Sequence, residues 1–145
     1  MDITHRPAAR VICLDVDGRV LLMHWRDPVD GHEVWEPPGG GLDPGETHWE
    51  AACRELAEET GLDPAAVGDR GVEVHRDVVW KGSRLTGPEQ FFLARYPTSR
   101  PTLTGDGLLP YEREELLGHR WVPLDELPGL PDLDPPDLRE IIRRW

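Results

Sequence analysis

Four glutamates crowd one short segment of the chain, Glu50, Glu55, Glu58 and Glu59, and all four fall on a predicted helix. The last three are spaced by three and four residues, so their side chains share one helical face, where like charges repel. Carboxylate oxygens are the ligands that Mg²⁺ prefers, and this ion often shares its coordination shell with substrate phosphates. The spacing therefore predicts a site for a hard divalent cation.

The residues around these glutamates suit the same chemistry. Arg54 lies directly before the cluster, and its guanidinium can brace a carboxylate through two parallel hydrogen bonds. The glycines of residues 39–41 leave room for a backbone carbonyl to act as a further ligand. Pro37 and Pro38 precede these glycines, and we expect the whole stretch to form a bend that does not continue a strand ladder.

The helix that carries the glutamates has clear end signals. Thr47 followed by Glu50 is a capping box, so Glu50 belongs to the folding of the helix rather than to a metal site. Gly61 is a suitable residue just after the last turn. Apolar and small residues at helical spacing predict the buried face. These are Trp49, Ala52, Cys53, Leu56 and Thr60.

The remaining elements are read from apolar runs and turn signals. Residues 8–22 predict a β-hairpin with an Asp-Gly turn. Further strands are expected at residues 34–35, 72–80, 90–96 and 121–124, with a polar connection over residues 81–89, and a final helix is expected at 135–145. No break in composition divides the chain, so residues 1–145 predict one domain with a core over about 8–130.

The bulk composition excludes some functions. The formal net charge of −12 argues against binding to a nucleic-acid duplex, because such proteins carry a basic face. No apolar run is long enough to span a bilayer or resembles a signal peptide, so a cytoplasmic location is expected. Cys13 and Cys53 fit small buried residues better than a disulfide or a nucleophile.

The fixed positions of one motif are all present between Gly40 and Leu62. Gly40 is followed after five residues by Glu46, and after seven more by Arg54-Glu-Leu-Ala-Glu-Glu-Thr-Gly-Leu62. This pattern is the Nudix box, and the chain therefore resembles a Nudix hydrolase. The segments 35–40 and 121–127 are also similar to the family's strands before and after the box.

The resemblance implies an α/β fold, an α/β/α sandwich around a mixed β-sheet. It also implies hydrolysis of the pyrophosphate bond in a nucleoside diphosphate linked to another moiety. Water assisted by Mg²⁺, or by Mn²⁺ as a substitute, would attack phosphorus. The small-molecule substrate itself is left open, because positions 78 and 79 carry neither the proline nor the tyrosine that marks certain subgroups. A homodimer is common in the family.

Residue roles follow from the resemblance position by position. Glu58 and Glu59 match the main carboxylate ligands, and the Gly40 carbonyl matches the backbone ligand. Glu55 matches a residue that serves as ligand or as general base in different members. Arg54 and Glu46 match a pair that orients the cluster.

Many members of the family add a carboxylate from outside the box, and a short acidic run before the closing strand offers one. Glu112, Glu114 and Glu115 are the candidates, and Glu114 is the expected metal ligand. A solvated surface is the competing explanation of such a run. Glu89 is a more distant candidate.

Three questions stay open at the level of sequence. Trp25 and Trp80 could stack on a base, and several arginines could contact phosphates, but no spacing ranks them. The arginines are Arg19, Arg26, Arg76 and Arg84. The histidines lack the spacing of a zinc site, although His48 lies near the expected phosphates. The alternative function is a catalytically silent nucleotide-sensing or protein-binding module on the same fold; an isomerase is disfavoured because the hydrolase box is unaltered.

Overall fold

A computed structural model describes residues 2–145 of the chain. Eight strands form one mixed sheet, and three α-helices and two 3₁₀ turns connect and cover them. The strands are β1 Ile3–Thr4, β2 Ala8–Leu14, β3 Val20–Arg26, β4 Glu33–Glu36, β5 Gly39–Gly41, β6 Val72–Trp80, β7 Ser83–Arg95 and β8 Leu116–Val122. The helices are α1 His48–Thr60, α2 Pro110–Glu115 and α3 Leu138–Ile142, and the 3₁₀ turns are Pro64–Ala66 and Leu124–Gly129.

Strand β2 lies in the middle of the sheet. It pairs in parallel with β7 and antiparallel with β5, and it meets β3 only at Leu14↔Val20 beside the turn. Strand β3 carries β4 and β8 as antiparallel neighbours. β7 also pairs with β6 and with the short β1. The sheet is therefore mixed, as predicted.

Both faces of the sheet are covered, which explains the unbroken apolar run at residues 11–14 of β2. Val11 and Cys13 point to one face and pack in a cluster with α1. Ile12 and Leu14 point to the other face and pack in a cluster with α3. A strand buried on both sides reads as a continuous apolar run rather than an alternating one. The predicted α/β/α sandwich is confirmed.

Two predicted connections are in fact strands. The polar segment 81–89 is not a loop: β7 begins at Ser83, and only Lys81 and Gly82 turn the chain, both with positive φ. A two-residue turn of this kind matches the twist of the flanking strands. The prediction failed because the polar residues of β7 lie outside the apolar core.

The glycine stretch 39–41 was expected to interrupt the ladder, and this was wrong. It forms β5, which pairs with residues 8–10 of β2. A Cβ built on Gly39 would lie 2.2 Å from the carbonyl oxygen of Ala9, so a side chain cannot fit there. The glycines serve close packing of a strand against its neighbour.

Two expectations about helices need correction. Trp49 was placed in the core, but 41% of the residue is exposed, and its indole Nε1 donates to the carbonyl of Val67. The buried face of α1 is instead centred on Ala52, Leu56 and Glu59. The final helix is confined to residues 138–142 instead of 135–145. A residue that precedes a proline is disfavoured from helical backbone, which keeps Pro135, next to Pro136, out of the helix. Within residues 2–145, no helix is long and apolar enough to cross a membrane.

Candidate active site

Helix α1 begins and ends where its capping residues predict. Thr47 Oγ1 accepts from the N–H of Glu50 at 3.1 Å, and the Glu50 carboxylate accepts from the N–H of Thr47 at 2.9 Å. Gly61 closes the helix in the left-handed conformation, with φ of 70°. These caps fix the register of the helix, so the orientation of its remaining glutamates follows from the helical repeat.

Glu59 is turned into the protein toward the glycine strand. Only 5% of the residue is exposed, and its Oε2 accepts from the N–H of Gly39 at 2.7 Å. Burial, together with the nearby carboxylate of Glu55, raises the pKa of Glu59 well above its usual range. Such a group favours a cation as neighbour, because opposite charge stabilises the ionised form.

Glu55 lies against the next glycine of β5. A Cβ built on Gly40 would lie 2.7 Å from the Glu55 carboxyl carbon, so only glycine lets the strand approach this closely. Burial also raises the pKa of Glu55, and the negative charges of Glu58 and Glu112 add to the effect. The glycine strand and two helix carboxylates therefore meet at one point.

Arg54 holds the exposed side of this cluster. Its Nε and one terminal nitrogen donate to both carboxylate oxygens of Glu46, at 2.8 and 2.9 Å, in a bidentate pair. The other terminal nitrogen donates to Glu55 at 3.0 Å and to Glu58 at 3.1 Å. Arg54 also donates to the Gly41 carbonyl at 3.0 Å, so one side chain joins helix α1, strand β5 and the loop between them.

Glu58 differs from its two neighbours in the cluster. Its side chain is 45% exposed, and it does not line the cavity that Glu55 and Glu59 line. Its carboxylate is held by Arg54. The three glutamates therefore share one side of the helix but lie at different depths.

A cavity of about 520 Å³ opens beside the cluster. Besides Glu55, Glu59 and the three glycines of β5, it is lined by cationic, aromatic and acidic side chains from several other parts of the chain. Among them are Arg6, Trp25, His32, Trp80, Lys81, Tyr111, Glu112, Glu115 and Asp134. This size and mixture suit a polar ligand with a flat group and several charges.

The acidic run before β8 forms part of helix α2, which the sequence did not predict. Glu112 and Glu115 line the cavity, whereas Glu114 is exposed and is not among its lining residues. Glu115 pairs with Lys81 at 2.8 Å, and Glu112 caps its own helix through the N–H of Leu109. Of the three candidates, Glu112 is the one whose charge acts on Glu55.

A buried ionic network lies next to the cluster, and sequence reasoning missed it. Arg10 donates to Glu36 at 3.0 Å and to Glu89 at 3.1 Å. Arg76 donates to the same two carboxylates and to Asp134 at 2.7 Å. Glu89 is therefore the shared partner of two buried arginines, which accounts for its burial without a metal. The positive charge of Arg10 also acts on Glu59.

Of the other candidates from the sequence, some line the cavity and others do not. Trp25 and Trp80 both line the cavity, as do residues 78 and 79. Three of the four arginines are held by carboxylates: Arg19 by Asp15 and Asp17, Arg84 by Asp77, and Arg76 in the buried network. Arg26 and His48 do not line the cavity. Arg6 and Lys81 reach it instead, and no spacing in the sequence identified them.

A small cluster in the β3–β4 loop was also not expected. Carboxylate oxygens of Asp27 and Asp30 and a ring nitrogen of His32 all lie within 4.8 Å of one another. Asp27 is fully buried and accepts from the N–H groups of Val29 and Lys81 at 2.8 Å each. These bonds tie the loop to the turn between β6 and β7 at the rim of the cavity.

A family model described as NUDIX domain matches residues 4–145. The sandwich and the box thus place the protein among hydrolases of phosphoanhydride bonds. The chain belongs to the Nudix family.

Named relatives cover most of the chain. It is 34% identical over 140 residues to an RNA pyrophosphohydrolase of Erythrobacter litoralis, with 89% of this chain and 82% of the relative aligned. It is 31% identical over 144 residues to an RNA pyrophosphohydrolase of Rhodopseudomonas palustris, with 89% and 83% aligned. The crystal structure of a MutT protein from Methanosarcina mazei Go1 superposes with a TM-score of 0.68 at 19% identity, over 99% of this chain and 96% of that one.

Proposed function

We propose that the protein hydrolyses a pyrophosphate bond in a nucleoside diphosphate linked to another moiety, with Mg²⁺ as its cofactor. The observation that carries this proposal is the meeting of Glu55 and Glu59 with Gly39 and Gly40 at the wall of a cavity large enough for a nucleotide. The Nudix box supplies the same residues, and the family match covers the whole region.

The donor set fits a hard divalent cation. Glu55, Glu58 and Glu59 provide carboxylate oxygens, and the Gly40 carbonyl provides a neutral oxygen, which are the ligand types that Mg²⁺ takes, with Mn²⁺ as a substitute. Burial raises the pKa of both Glu55 and Glu59, and a bound cation would favour their ionised forms. When bound, the metal would neutralise the diphosphate and lower the pKa of the attacking water.

The remaining steps fall to residues of the chain itself. Glu55 lines the cavity and is the residue that we propose accepts the proton of the attacking water as the bridging P–O bond breaks. Arg54, fixed by Glu46, holds that carboxylate in position. Positioning of this kind contributes much of the rate in phosphoryl chemistry.

A carboxylate from outside the box is also part of the proposal. We assign this role to Glu112 in place of Glu114, because Glu112 lines the cavity and its charge acts on Glu55. Glu115 is less suited, since its carboxylate already pairs with Lys81.

Other side chains of the cavity are assigned to the diphosphate and the base of the substrate. Arg6 supplies positive charge for the diphosphate, and Trp80 supplies a flat face for a base. The named relatives are RNA pyrophosphohydrolases, which makes the 5′ end of RNA a candidate substrate beside free nucleotides. A homodimer and a cytoplasmic location remain predictions from the sequence.

A panel of nucleotide compounds tests the proposal. Nucleoside triphosphates, dinucleoside polyphosphates, nucleotide sugars and 5′-triphosphorylated RNA are each incubated with Mg²⁺ or Mn²⁺, and product mass is recorded. We expect cleavage of at least one compound between two phosphorus atoms, with one ¹⁸O from labelled water in a phosphate product. Tight nucleotide binding without any cleavage would instead support the silent binding module.

A further inference from the structure

Lys81 is the only lysine of the chain, in which 16 residues are lysine or arginine. It lies at the turn between β6 and β7, and its side chain reaches helix α2 on another part of the cavity wall. Its Nζ pairs with Glu115 Oε1 at 2.8 Å and lies 4.8 Å from the centre of the Tyr111 ring. One side chain therefore joins the β6–β7 turn to α2 beside the cavity. We call this three-residue contact the α2 clamp.

Helix α2 has no apolar residue that anchors it to the core. Of its six residues only Glu115 is buried, and Tyr111 is among the exposed hydrophobic residues. The apolar residues that pack against the core, Leu108 and Leu116, lie before and after the helix. The chain is therefore fixed at both ends of α2, whereas the helix itself depends on a polar contact.

The buried end of α2 requires a cation beside it. Only 10% of the Glu115 side chain is exposed, and Lys81 is its ion-pair partner. A buried carboxylate without a cation is costly, because it loses water without gaining a compensating charge. If Lys81 moves away, the Glu115 carboxylate has to turn toward solvent, and α2 has to move with it.

The backbone of Lys81 is fixed, whereas its side chain can move. The N–H of Lys81 donates to the buried carboxylate of Asp27 at 2.8 Å, and residues 81 and 82 both have positive φ, as in a two-residue hairpin turn. The side chain is 40% exposed, and its ammonium is a hydrated point charge on a flexible stem. By contrast, Arg54 binds both carboxylate oxygens of Glu46 in a more rigid arrangement. A lysine suits a contact that has to form and break.

Helix α2 also carries Glu112, the carboxylate that we assign to the metal site from outside the box. Its Oε1 accepts from the N–H of Leu109 at 2.9 Å, a bond that keeps the carboxylate close to its own helix. Within residues 2–145 no further hydrogen bond engages this carboxylate, so its second oxygen is left for the cavity. Its position relative to Glu55 is therefore set by where α2 lies.

We propose that Lys81 is a positioning residue: the α2 clamp holds Glu112 at the cavity wall, and release of the clamp opens the cavity on this side. The part of this proposal that concerns Glu112 rests on the proposed function, whereas the clamp itself does not. When the clamp is released, α2 moves away from the cavity and a ligand can enter or leave. Segments that open and close over a site in this way control ligand exchange in many enzymes.

The clamp is tested first in the metal-free protein, by hydrogen–deuterium exchange measured by mass spectrometry. We expect the amides of residues 109–116 to exchange about tenfold faster in Lys81→Met than in the wild type, and those of α1 to be unchanged. Lys81→Arg keeps the charge and should exchange like the wild type. Arg113→Met removes an exposed charge from the same helix and is the matched control. Exchange in Lys81→Met equal to that in Arg113→Met would overturn the clamp.

Because the chain has one lysine, chemical modification of the unmutated protein gives an independent test. Acetylation removes the charge of Lys81 and should speed exchange in α2, whereas reductive dimethylation keeps the charge and should not. Acetylated Lys81→Arg carries an acetyl group only at its N-terminal amine and should exchange like the unmodified protein. Equal exchange in the acetylated and the dimethylated wild type would contradict the clamp.

Turnover tests the role of Glu112 separately. On the best substrate of the panel, we expect Lys81→Met and Glu112→Gln each to lose about tenfold in kcat, and the double variant to lose no more than Glu112→Gln alone. Losses that multiply would show that Lys81 acts on the substrate and not through Glu112. A wild-type kcat in Glu112→Gln would show that Lys81 does not position a catalytic group. If no compound is hydrolysed, the proposed function fails, and the exchange measurements still decide whether the clamp holds α2.

Discussion

Glu59 of helix α1 accepts a hydrogen bond of 2.7 Å from the backbone N–H of Gly39. This bond joins the helix of the box to the glycine strand and places a buried carboxylate beside Glu55. Burial and like charge raise the pKa of Glu59, so in the metal-free protein its carboxyl keeps a proton at pH values where a free glutamate has lost it. Metal binding must displace that proton.

Metal binding is therefore expected to release protons. The apparent affinity for Mn²⁺ should increase as the pH rises above the ordinary titration range of a glutamate, because a cation requires the ionised form of Glu59. Calorimetric titrations in two buffers with different ionisation enthalpies measure the number of protons released. An affinity that is independent of pH, with no proton release over this range, would show that Glu59 is not a ligand.

Arg54→Lys tests the brace between Glu46 and the cluster. Lysine cannot form the bidentate pair that Arg54 forms with Glu46, so the cluster loses its orientation. We expect the Mn²⁺ concentration for half-maximal activity to rise about 10- to 100-fold, as is typical for residues that orient metal ligands. Arg113→Lys, at an exposed arginine of α2, is the matched control. Equal metal requirements in the two variants would show that Arg54 does not position the metal ligands.

Glu89 should matter for stability rather than for metal binding. Its Oε1 is shared by Arg10 and Arg76, so Glu89→Ala leaves two buried guanidinium groups with too few partners. The free energy of unfolding should fall by about 3–5 kcal/mol in urea denaturation. Glu73→Ala, on the exposed side of β6, should change it by less than about 0.5 kcal/mol. A small effect of Glu89→Ala would mean that the buried ionic network contributes little to the free energy of unfolding.

Asp15 provides a stability prediction that depends on pH. Its buried carboxylate accepts from the N–H groups of Asp17, Arg19 and Arg100 and from the Arg19 guanidinium. These bonds lower the pKa of Asp15, so its contribution is present above the pKa of the unfolded chain and is lost as the pH falls through the lower folded value.

Asp15→Asn should therefore lower the free energy of unfolding by about 2 kcal/mol at pH 7. Below about pH 4 the difference from the wild type should shrink, because the wild-type carboxyl also becomes neutral. Denaturation curves at pH 7 and pH 3 measure both values, with Asp69→Asn at an exposed position as control. A difference that stays constant with pH would show that the charge of Asp15 is not involved.

Local chemistry made part of this structure predictable. The caps of α1 depend on Thr47, Glu50 and Gly61, all within the helix or next to it, and the helix begins and ends as they indicate. Strand β6 also has its predicted bounds, because its residues alternate. Such signals need no knowledge of distant parts of the chain.

Contacts between distant residues were not predictable in the same way. Arg10 and Glu89 are 79 residues apart, and each reads alone as a surface residue, yet they form a buried pair. The strand character of the glycines in β5 depends on the space beside Ala9, which only the folded sheet defines. The position of Glu112 rather than Glu114 on the cavity likewise depends on the orientation of α2, a helix without a clear pattern.

The central claim is that the box glutamates hold a metal that is required for hydrolysis of a pyrophosphate bond. The most direct measurement compares Mg²⁺-dependent turnover of the best substrate of the panel by wild type, Glu59→Gln and Glu50→Gln. Glu59→Gln should lose roughly a hundred- to a thousandfold in kcat, the equivalent of several kcal/mol, with the fold intact by circular dichroism. Glu50→Gln should keep its activity, because glutamine also completes the capping box. Wild-type turnover by Glu59→Gln would contradict the claim.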